Sequence, residues 1–268
     1  MAERSRSAPE LESFFGAVRR ASKRALLLDY DGTLAPFRVE RDEAVPYPGI
    51  REILQSLVDA GDTRVVVISG RRAHDLPPLL GLERLPEIWG THGWERLLPD
   101  GTYELAPLEE RASAGLAEAR SWVEAQGGWM QHCEQKPASV AVHWRGLPPD
   151  AAGSMRDTLL AHWPALAEPA GLAVHEFDGG VELRVPGRDK GFAVRTLLGE
   201  IGPDAVVAYL GDDVTDEDAF KAIKGHGMGI LVRAEYRPTA ADLWLRPPEE
   251  LSAFLARWQE ACTAPHNL

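Results

Sequence analysis

At 268 residues, with 44% hydrophobic residues and a formal net charge of -12, the chain has material for one large or two modest domains around a substantial core. That charge opposes nucleic acid and anionic membranes as partners, since both select for basic patches. No apolar stretch approaches the roughly 20 residues of a bilayer span, Met1 to Ser7 lacks the apolar core of a signal peptide, and two cysteines, Cys133 and Cys262, are too few and too far apart for a disulfide framework or zinc site, so a cytoplasmic protein with reduced thiols is expected.

Residues 1–22 read as a helical arm, with Leu11, Phe14, Phe15 and Val18 spaced to dock on the body. A strand, Ala25 to Leu28, follows and runs into Asp29-Tyr30-Asp31-Gly32-Thr33-Leu34. Two carboxylates one residue apart at a strand end are informative, because ligands of open α/β sheets bind beyond the carboxyl ends of the strands. Asp29 can then offer a nucleophile and Asp31 an acid/base, although a bare Asp-x-Asp is also ordinary turn chemistry. A helix from Pro48 carries Ile50, Ile53, Leu54, Leu57 and Val58 on one stripe and stops at Gly61. The β-branched strand Val65 to Ile68 ends in Ser69-Gly70-Arg71, which alone is no more than a turn.

From about Thr102 to Val185 the texture changes. The pattern predicts a helix Ala112 to Gln126, strands near Trp129 to Cys133 and Ser139 to Arg145, a helix Asp150 to Trp163, and a hairpin of Ala173 to Phe177 with Val181 to Val185, turning at Asp178-Gly179-Gly180. Alternation places Ser139, Ala141, His143 and Arg145 on one face of their strand and Val140, Val142 and Trp144 on the other. Glu182 and Arg184 alternate in the same way with Val181, Leu183 and Val185. Charges on a sheet face are commonly just solvated, yet Glu134, Lys136 and Glu182 also suit directional hydrogen bonds to sugar hydroxyls.

Strand and helix alternate again after Val185. Asp189 or the residues before it can cap a helix from Gly191 to Ile201, and a strand Val206 to Leu210 leads into the acidic loop Asp212 to Asp218. Helix Thr215 to Ile223, strand Met228 to Val232, a short strand Asp242 to Leu245 and helix Pro248 to Cys262 complete the chain. Strands alternating with amphipathic helices imply an α/β fold on a parallel sheet with right-handed crossovers. The acidic loop fits a helix N-terminus and also fits a hard cation held by carboxylates.

Taken in order, Asp29-x-Asp31-Gly32-Thr33, Ser69, Lys190 and Gly211-Asp212-Asp213 resemble the four motifs of the haloacid dehalogenase superfamily. With Gly90-x-His92-Gly93-x-Glu95, Glu134-x-Lys136-x-x-Ser139, His143-x-Arg145, Glu182-x-Arg184 and Thr215-Asp216-Glu217-Asp218 added, the chain resembles the trehalose-6-phosphate phosphatases over about residues 24–258. The resemblance implies a Rossmann-like parallel core, residues 23–106 and 186–268, and an inserted α+β cap, residues 107–185, that selects the substrate. It implies Asp29 as nucleophile, Asp31 as general acid/base, and Thr33, Ser69, Gly70 and Lys190 as phosphate binders. Magnesium would be held by Asp29, the Asp31 main-chain oxygen and Asp212, with Asp213 and Asp216 behind it orienting Lys190 or water. Glu134, Lys136 and Glu182 would read glucose hydroxyls.

The implied activity is magnesium-dependent hydrolysis of the small-molecule sugar phosphate trehalose 6-phosphate by a monomer, through an aspartyl phosphate. Sucrose, mannosylglycerate or glucosylglycerol phosphate are alternative substrates, and a sugar phosphomutase is an alternative activity. Asp29 must be charged while Asp31 is neutral, which calls for metal contact at Asp29 and a partly desolvated side chain at Asp31. The chain departs from the family pattern at Thr91, where Asn is common, at Trp144, where Tyr is usual, and in the looser run from Glu182 to Gly191. His92 either touches substrate or holds a hinge, and contacts of Arg71, His143 and Arg145 with substrate stay open.

Overall fold

The computed structural model describes residues 8–38, 40–177 and 179–263. The first seven residues of the expected arm and Asp178 of the expected turn lie outside them. The chain divides into two units, with bounds at residues 104/105 and 188/189, two or three residues from the expected 106/107 and 185/186.

In the first unit α1 (Ala8–Arg20) buries Phe15 and Val18, and Arg24 Nε donates to the Val18 carbonyl at 2.6 Å. β1 (Arg24–Leu28) is buried along its length, as a Leu run covered on both faces must be. α2 (Ile50–Ala60) puts Ile50, Leu54 and Leu57 into the core and ends at Gly61 in the left-handed region. β2 (Arg64–Ile68), α3 (Leu76–Leu80), β3 (Glu87–Gly90), β4 (Glu95–Leu97) and β5 (Tyr103–Leu105) follow.

The second unit holds α4 (Glu110–Ala125), β6 (Cys133–Lys136), β7 (Ser139–His143), α5 (Pro149–Ala170), β8 (Ala173–Phe177) and β9 (Gly180–Arg184). The first unit resumes with α6 (Lys190–Ile201), β10 (Val206–Gly211), α7 (Glu217–Ile223), β11 (Gly227–Val232), β12 (Leu243–Leu245) and α8 (Glu249–Thr263). The Phe14 ring lies 6.0 Å from Trp258 and Phe15 lies 5.2 Å from Phe254, so α1 docks on α8 as its spacing predicts.

Three of the expected elements differ most from the sequence reading, and α3, β3, β4 and β5 have no counterpart in it. The strand expected at Trp129 to Cys133 is a 3-10 turn, Trp129–His132, and β6 begins at Cys133; consecutive positive φ angles at Gly127 and Gly128 turn the chain there. β7 stops at His143 rather than Arg145, because Leu147 N–H bonds back to the Trp144 carbonyl and Gly146 takes φ 83°. Arg145 is therefore exposed on a turn. α5 runs past Trp163 and carries Pro164 and Pro169 inside it. Burial of Leu166, Ala167 and Ala170 offsets an interior proline cost of about 3 kcal/mol.

The large sheet has strand order β12-β11-β10-β1-β2-β3-β4-β5 and is parallel from β12 to β3, with β4 antiparallel to β3. Leu26, Leu28, Val67 and Leu210 face one hydrophobic layer with residues of α1, α2 and α8, while Leu27, Val66, Ile68 and Tyr209 face the other with α6 and α7. The chain leaves β1 toward β2 and later returns beside β1 as β10. That reversal of strand order is where open α/β sheets hold their ligands. The small sheet, order β6-β7-β9-β8, is antiparallel throughout. Val140, Val142, Val181 and Leu183 are buried, and the opposite face carries Glu134, Lys136, His143 and Glu182.

Candidate active site

Asp29 extends β1 by one residue, its N–H held by the Leu210 carbonyl of β10 at 2.8 Å. Its side chain is 3% exposed. Thr33 Oγ1 donates to Oδ2 at 3.0 Å, and Lys190 Nζ, at the first position of α6, donates to Oδ1 at 2.6 Å. Lys190 also donates to Asp216 Oδ1 at 2.7 Å, where the Tyr209 hydroxyl is a second donor. Asp216 Oδ2 accepts the main-chain N–H groups of Asp212 and Asp213 at 3.1 and 2.9 Å. Asp213 itself is exposed, so of the two residues expected behind the metal it is Asp216 that reaches Lys190.

The tight turn after Asp29 explains how the acidic loop closes on it. Gly32 has φ 84°, and a Cβ there would lie 2.2 Å from Asp212 Oδ2. Only glycine supplies both the backbone conformation and the room. Arg237 braces the loop from outside, donating to the Asp212 carbonyl at 3.4 Å, the Asp213 carbonyl at 2.6 Å and Glu217 Oε1 at 2.5 Å. No motif pointed to Arg237, because its partners are mostly main-chain oxygens distant in sequence.

Asp29, Asp212 and Asp216 are all buried, with ligand oxygens within 4.8 Å of one another. Lys190 neutralises part of that charge. Burial and the neighbouring carboxylates nevertheless push Asp29 up to about 7 and Asp212 up to about 10. Burial alone would lower Lys190, yet Asp216 and Asp29 outweigh it and hold the ammonium above its usual range. Hard carboxylate oxygens with negative charge to spare fit a divalent cation.

Asp31 stands apart from this cluster. Arg71 Nε and Nη2 fork onto its Oδ2 and Oδ1 at 2.7 and 2.6 Å. Arg71 is 4% exposed and its N–H donates to Ser69 Oγ at 3.1 Å. The Asp31 side chain is 28% exposed, and the Arg71 fork is a partner that the sequence reading did not include. Ser69 is buried at the end of β2 and Gly70 follows it into the loop.

The Ser69-Gly70-Arg71 loop is itself held by a strained turn. Thr91 and His92 take φ 47° and 54°, a left-handed conformation costing roughly 1–2 kcal/mol per non-glycine residue. Thr91 N–H donates to the Arg71 carbonyl at 2.7 Å and His92 N–H to the Ser69 carbonyl at 3.0 Å. Thr91 Oγ1 bonds to the buried Glu95, which also accepts from the Tyr103 hydroxyl at 2.9 Å.

The sugar-reading candidates lie on the small sheet of the second unit. Lys136 Nζ donates to Glu182 Oε1 at 3.0 Å, Ser139 Oγ donates to the same oxygen at 2.7 Å, and Glu134 Oε2 lies 3.9 Å from Lys136. His143 Nε2 sits 3.0 Å from Glu134 Oε2 and its ring meets Phe177 edge-on. Glu134, Lys136 and Glu182 thus form one connected group, and His143 joins it through Glu134.

The family description Trehalose-phosphatase matches residues 27–248. An uncharacterized glycosyl hydrolase of Mycobacterium tuberculosis is 38% identical over 256 residues, 89% of this chain and 18% of that protein. A trehalose-phosphate phosphatase of Mycobacterium marinum is 34% identical over 251 residues, 87% of this chain and 60% of that protein. The chain therefore spans less than two thirds of the length of these relatives. The solved C-terminal domain of a C. albicans trehalose-6-phosphate phosphatase superposes with TM-score 0.77 at 20% identity, covering 96% of this chain and 98% of that one. A HAD-superfamily phosphatase of Bacteroides thetaiotaomicron shares the fold as well, with TM-score 0.59 at 17% identity over 88% of this chain and 95% of that one.

Proposed function

We propose the following for this chain, which belongs to the trehalose-phosphatase family: it hydrolyses trehalose 6-phosphate to trehalose and phosphate with Mg2+, through a phosphorylated Asp29. The observation that carries the reading is Asp29 itself, a buried carboxylate at the end of a central parallel strand, held by Lys190 and Thr33 beside Asp212 and Asp216.

In the proposed reaction Lys190, Ser69 Oγ, Thr33 Oγ1 and the Gly70 N–H take the phosphate oxygens and stabilise the charge that develops on them. An Asp29 oxygen attacks phosphorus, the phosphorus–oxygen bond to the sugar breaks, and Asp31 gives its proton to the departing sugar oxygen. Asp31 then takes a proton from the incoming water as that water's oxygen bonds to phosphorus. The Asp29–phosphorus bond breaks and inorganic phosphate leaves. The Arg71 fork occupies both Asp31 oxygens, so in this scheme it opens as substrate enters and Asp31 takes up a solvent proton before giving it to the sugar. The proton taken from the water restores the acid. Magnesium, when bound by Asp29, Asp212 and the Asp31 main-chain oxygen, supplies positive charge that offsets repulsion between Asp29 and the phosphate. Asp216 keeps Lys190 aimed at Asp29.

In this proposal the second unit is the cap, and Glu134, Lys136 and Glu182 hydrogen-bond the sugar hydroxyls. The enzyme acts as a cytoplasmic monomer without nucleic acid or membrane partners. Its net charge opposes polyanions, and no helix of the described residues is long and apolar enough to cross a membrane.

Phosphate release from trehalose 6-phosphate, measured with Mg2+ and with excess chelator, tests the reading, together with trapping of a phosphorylated Asp29 peptide in the presence of Mg2+. Turnover with Mg2+ and a one-phosphate mass increase on that peptide are expected. Hydrolysis undiminished in chelator, or phosphate trapped on another residue, contradicts it.

A further inference from the structure

Among the residues near the phosphate loop, His92 has a placement that the reaction scheme does not use. A Cβ built on Gly70 would lie 2.7 Å from both Cε1 and Nε2 of the His92 ring. The imidazole therefore fills the space above Gly70 that a side chain would otherwise take, and Gly70 is the residue that admits it. The residue is half-buried.

Two left-handed residues in a row, one of them a β-branched threonine, bring the ring there. The hydrogen bonds from Thr91 and His92 N–H to the Arg71 and Ser69 carbonyls fasten the strained turn to the same loop. The Thr91 hydroxyl, bonded to Glu95, holds it as well. Main-chain groups, Thr91 and Glu95 anchor the turn. Strain retained beside a reaction site is a mark of function.

We infer that His92 is a substrate contact: its imidazole, held over Gly70, hydrogen-bonds a hydroxyl of the sugar unit that bears the phosphate. This rests on the sugar-phosphatase reading and deepens it, adding a sugar-reading group on the catalytic unit itself. Ser69 Oγ and the Gly70 N–H take phosphate oxygens in the proposed reaction, so a ring above Gly70 meets the atoms next to the phosphoester. Imidazole can donate at one nitrogen and accept at the other, which suits a hydroxyl group.

The test compares wild type, His92→Asn and His92→Gln on trehalose 6-phosphate and on p-nitrophenyl phosphate, which carries the phosphate and no sugar hydroxyl. Asn tolerates the left-handed region and so keeps the turn while removing the ring. His92→Asn should lower kcat/KM on the sugar phosphate about tenfold or more, mainly through KM, and leave the aryl ester within about twofold. His92→Gln should recover part of the loss through its longer amide. Unchanged thermal unfolding of both variants is expected.

Equal losses on both substrates would overturn the inference, because they would mean that His92 shapes the loop or binds phosphate. No loss on either would overturn it as well. A wild type that cleaves the aryl ester and no sugar phosphate overturns the functional reading and this inference together. A wild type active on trehalose 6-phosphate with an unchanged substrate ratio in His92→Asn overturns the inference alone.

Discussion

Arg71 closes on Asp31 with two nearly equal hydrogen bonds, 2.7 Å from Nε and 2.6 Å from Nη2, across 40 residues of sequence. The pair fixes where the proposed acid/base points before substrate arrives. A lysine could bring charge but not a planar fork. Arg71→Lys should lower kcat by roughly 10- to 100-fold on trehalose 6-phosphate with KM changed less than kcat. A kcat within twofold of wild type would remove Arg71 from the account of Asp31.

The buried acidic cluster predicts how stability varies with pH. Burial, with help from neighbouring carboxylates, raises Asp29 to about 7 and Asp212 to about 10. Each then keeps a proton in the folded chain at pH values where the unfolded chain has lost it. Stability of the metal-free protein therefore falls as pH rises from about 4 through about 7 and on toward 10. A divalent cation offsets the charge, so the rise in Tm produced by Mg2+ should be larger at pH 8 than at pH 5. An equal rise at both, or none, would contradict cation binding at this cluster.

Lys136 and Glu182 form a buried ion pair, with side chains 8% and 7% exposed. Truncating one to alanine would strand the other's charge, at a cost of about 3–5 kcal/mol, and would confuse folding with binding. Glu182→Gln keeps an acceptor for Lys136 and Ser139, while Glu134 remains 3.9 Å from the ammonium. If Glu182 reads a sugar hydroxyl, this variant should lose roughly 10-fold or more in kcat/KM on trehalose 6-phosphate and little on p-nitrophenyl phosphate. Equal losses on the two substrates would assign it to the scaffold.

The strands that carry the candidate chemistry are legible because they are buried along all or nearly all of their length: β1, β2 and β10 read as apolar runs ending in Asp29, Ser69 and the acidic loop. β3 is not. Its Glu87 is 4% exposed and is compensated by Arg64 at 2.7 Å, Arg96 at 2.7 Å and Trp89 Nε1 at 2.8 Å, so a charged letter sits where the core pattern needs an apolar one. The sequence predicts an end at Trp163 because proline usually ends a helix, and only tertiary burial carries α5 past Pro164. The Asp31–Arg71 fork and the Arg237 brace join residues distant in sequence, and the strain at Thr91 and His92 is a backbone property with no residue pattern of its own.

Thr91 occupies a left-handed position that suits asparagine better than a β-branched residue. An asparagine amide can also donate to Glu95. Thr91→Asn should therefore raise stability by about 1 kcal/mol, or roughly 2–4 °C in Tm, without loss of activity. A lower Tm would show that the threonine hydroxyl matters more to Glu95 than the backbone strain.

The most direct test of the central claim is phosphate release from trehalose 6-phosphate by wild type and Asp29→Asn, both with saturating Mg2+. Asparagine retains the shape of the carboxylate but not its charge or nucleophilicity, so a loss of at least about 10⁴-fold is expected, with Tm within a few degrees of wild type. Asp29→Asn turning over within tenfold of wild type would contradict Asp29 as the nucleophile, and with it the proposed reaction.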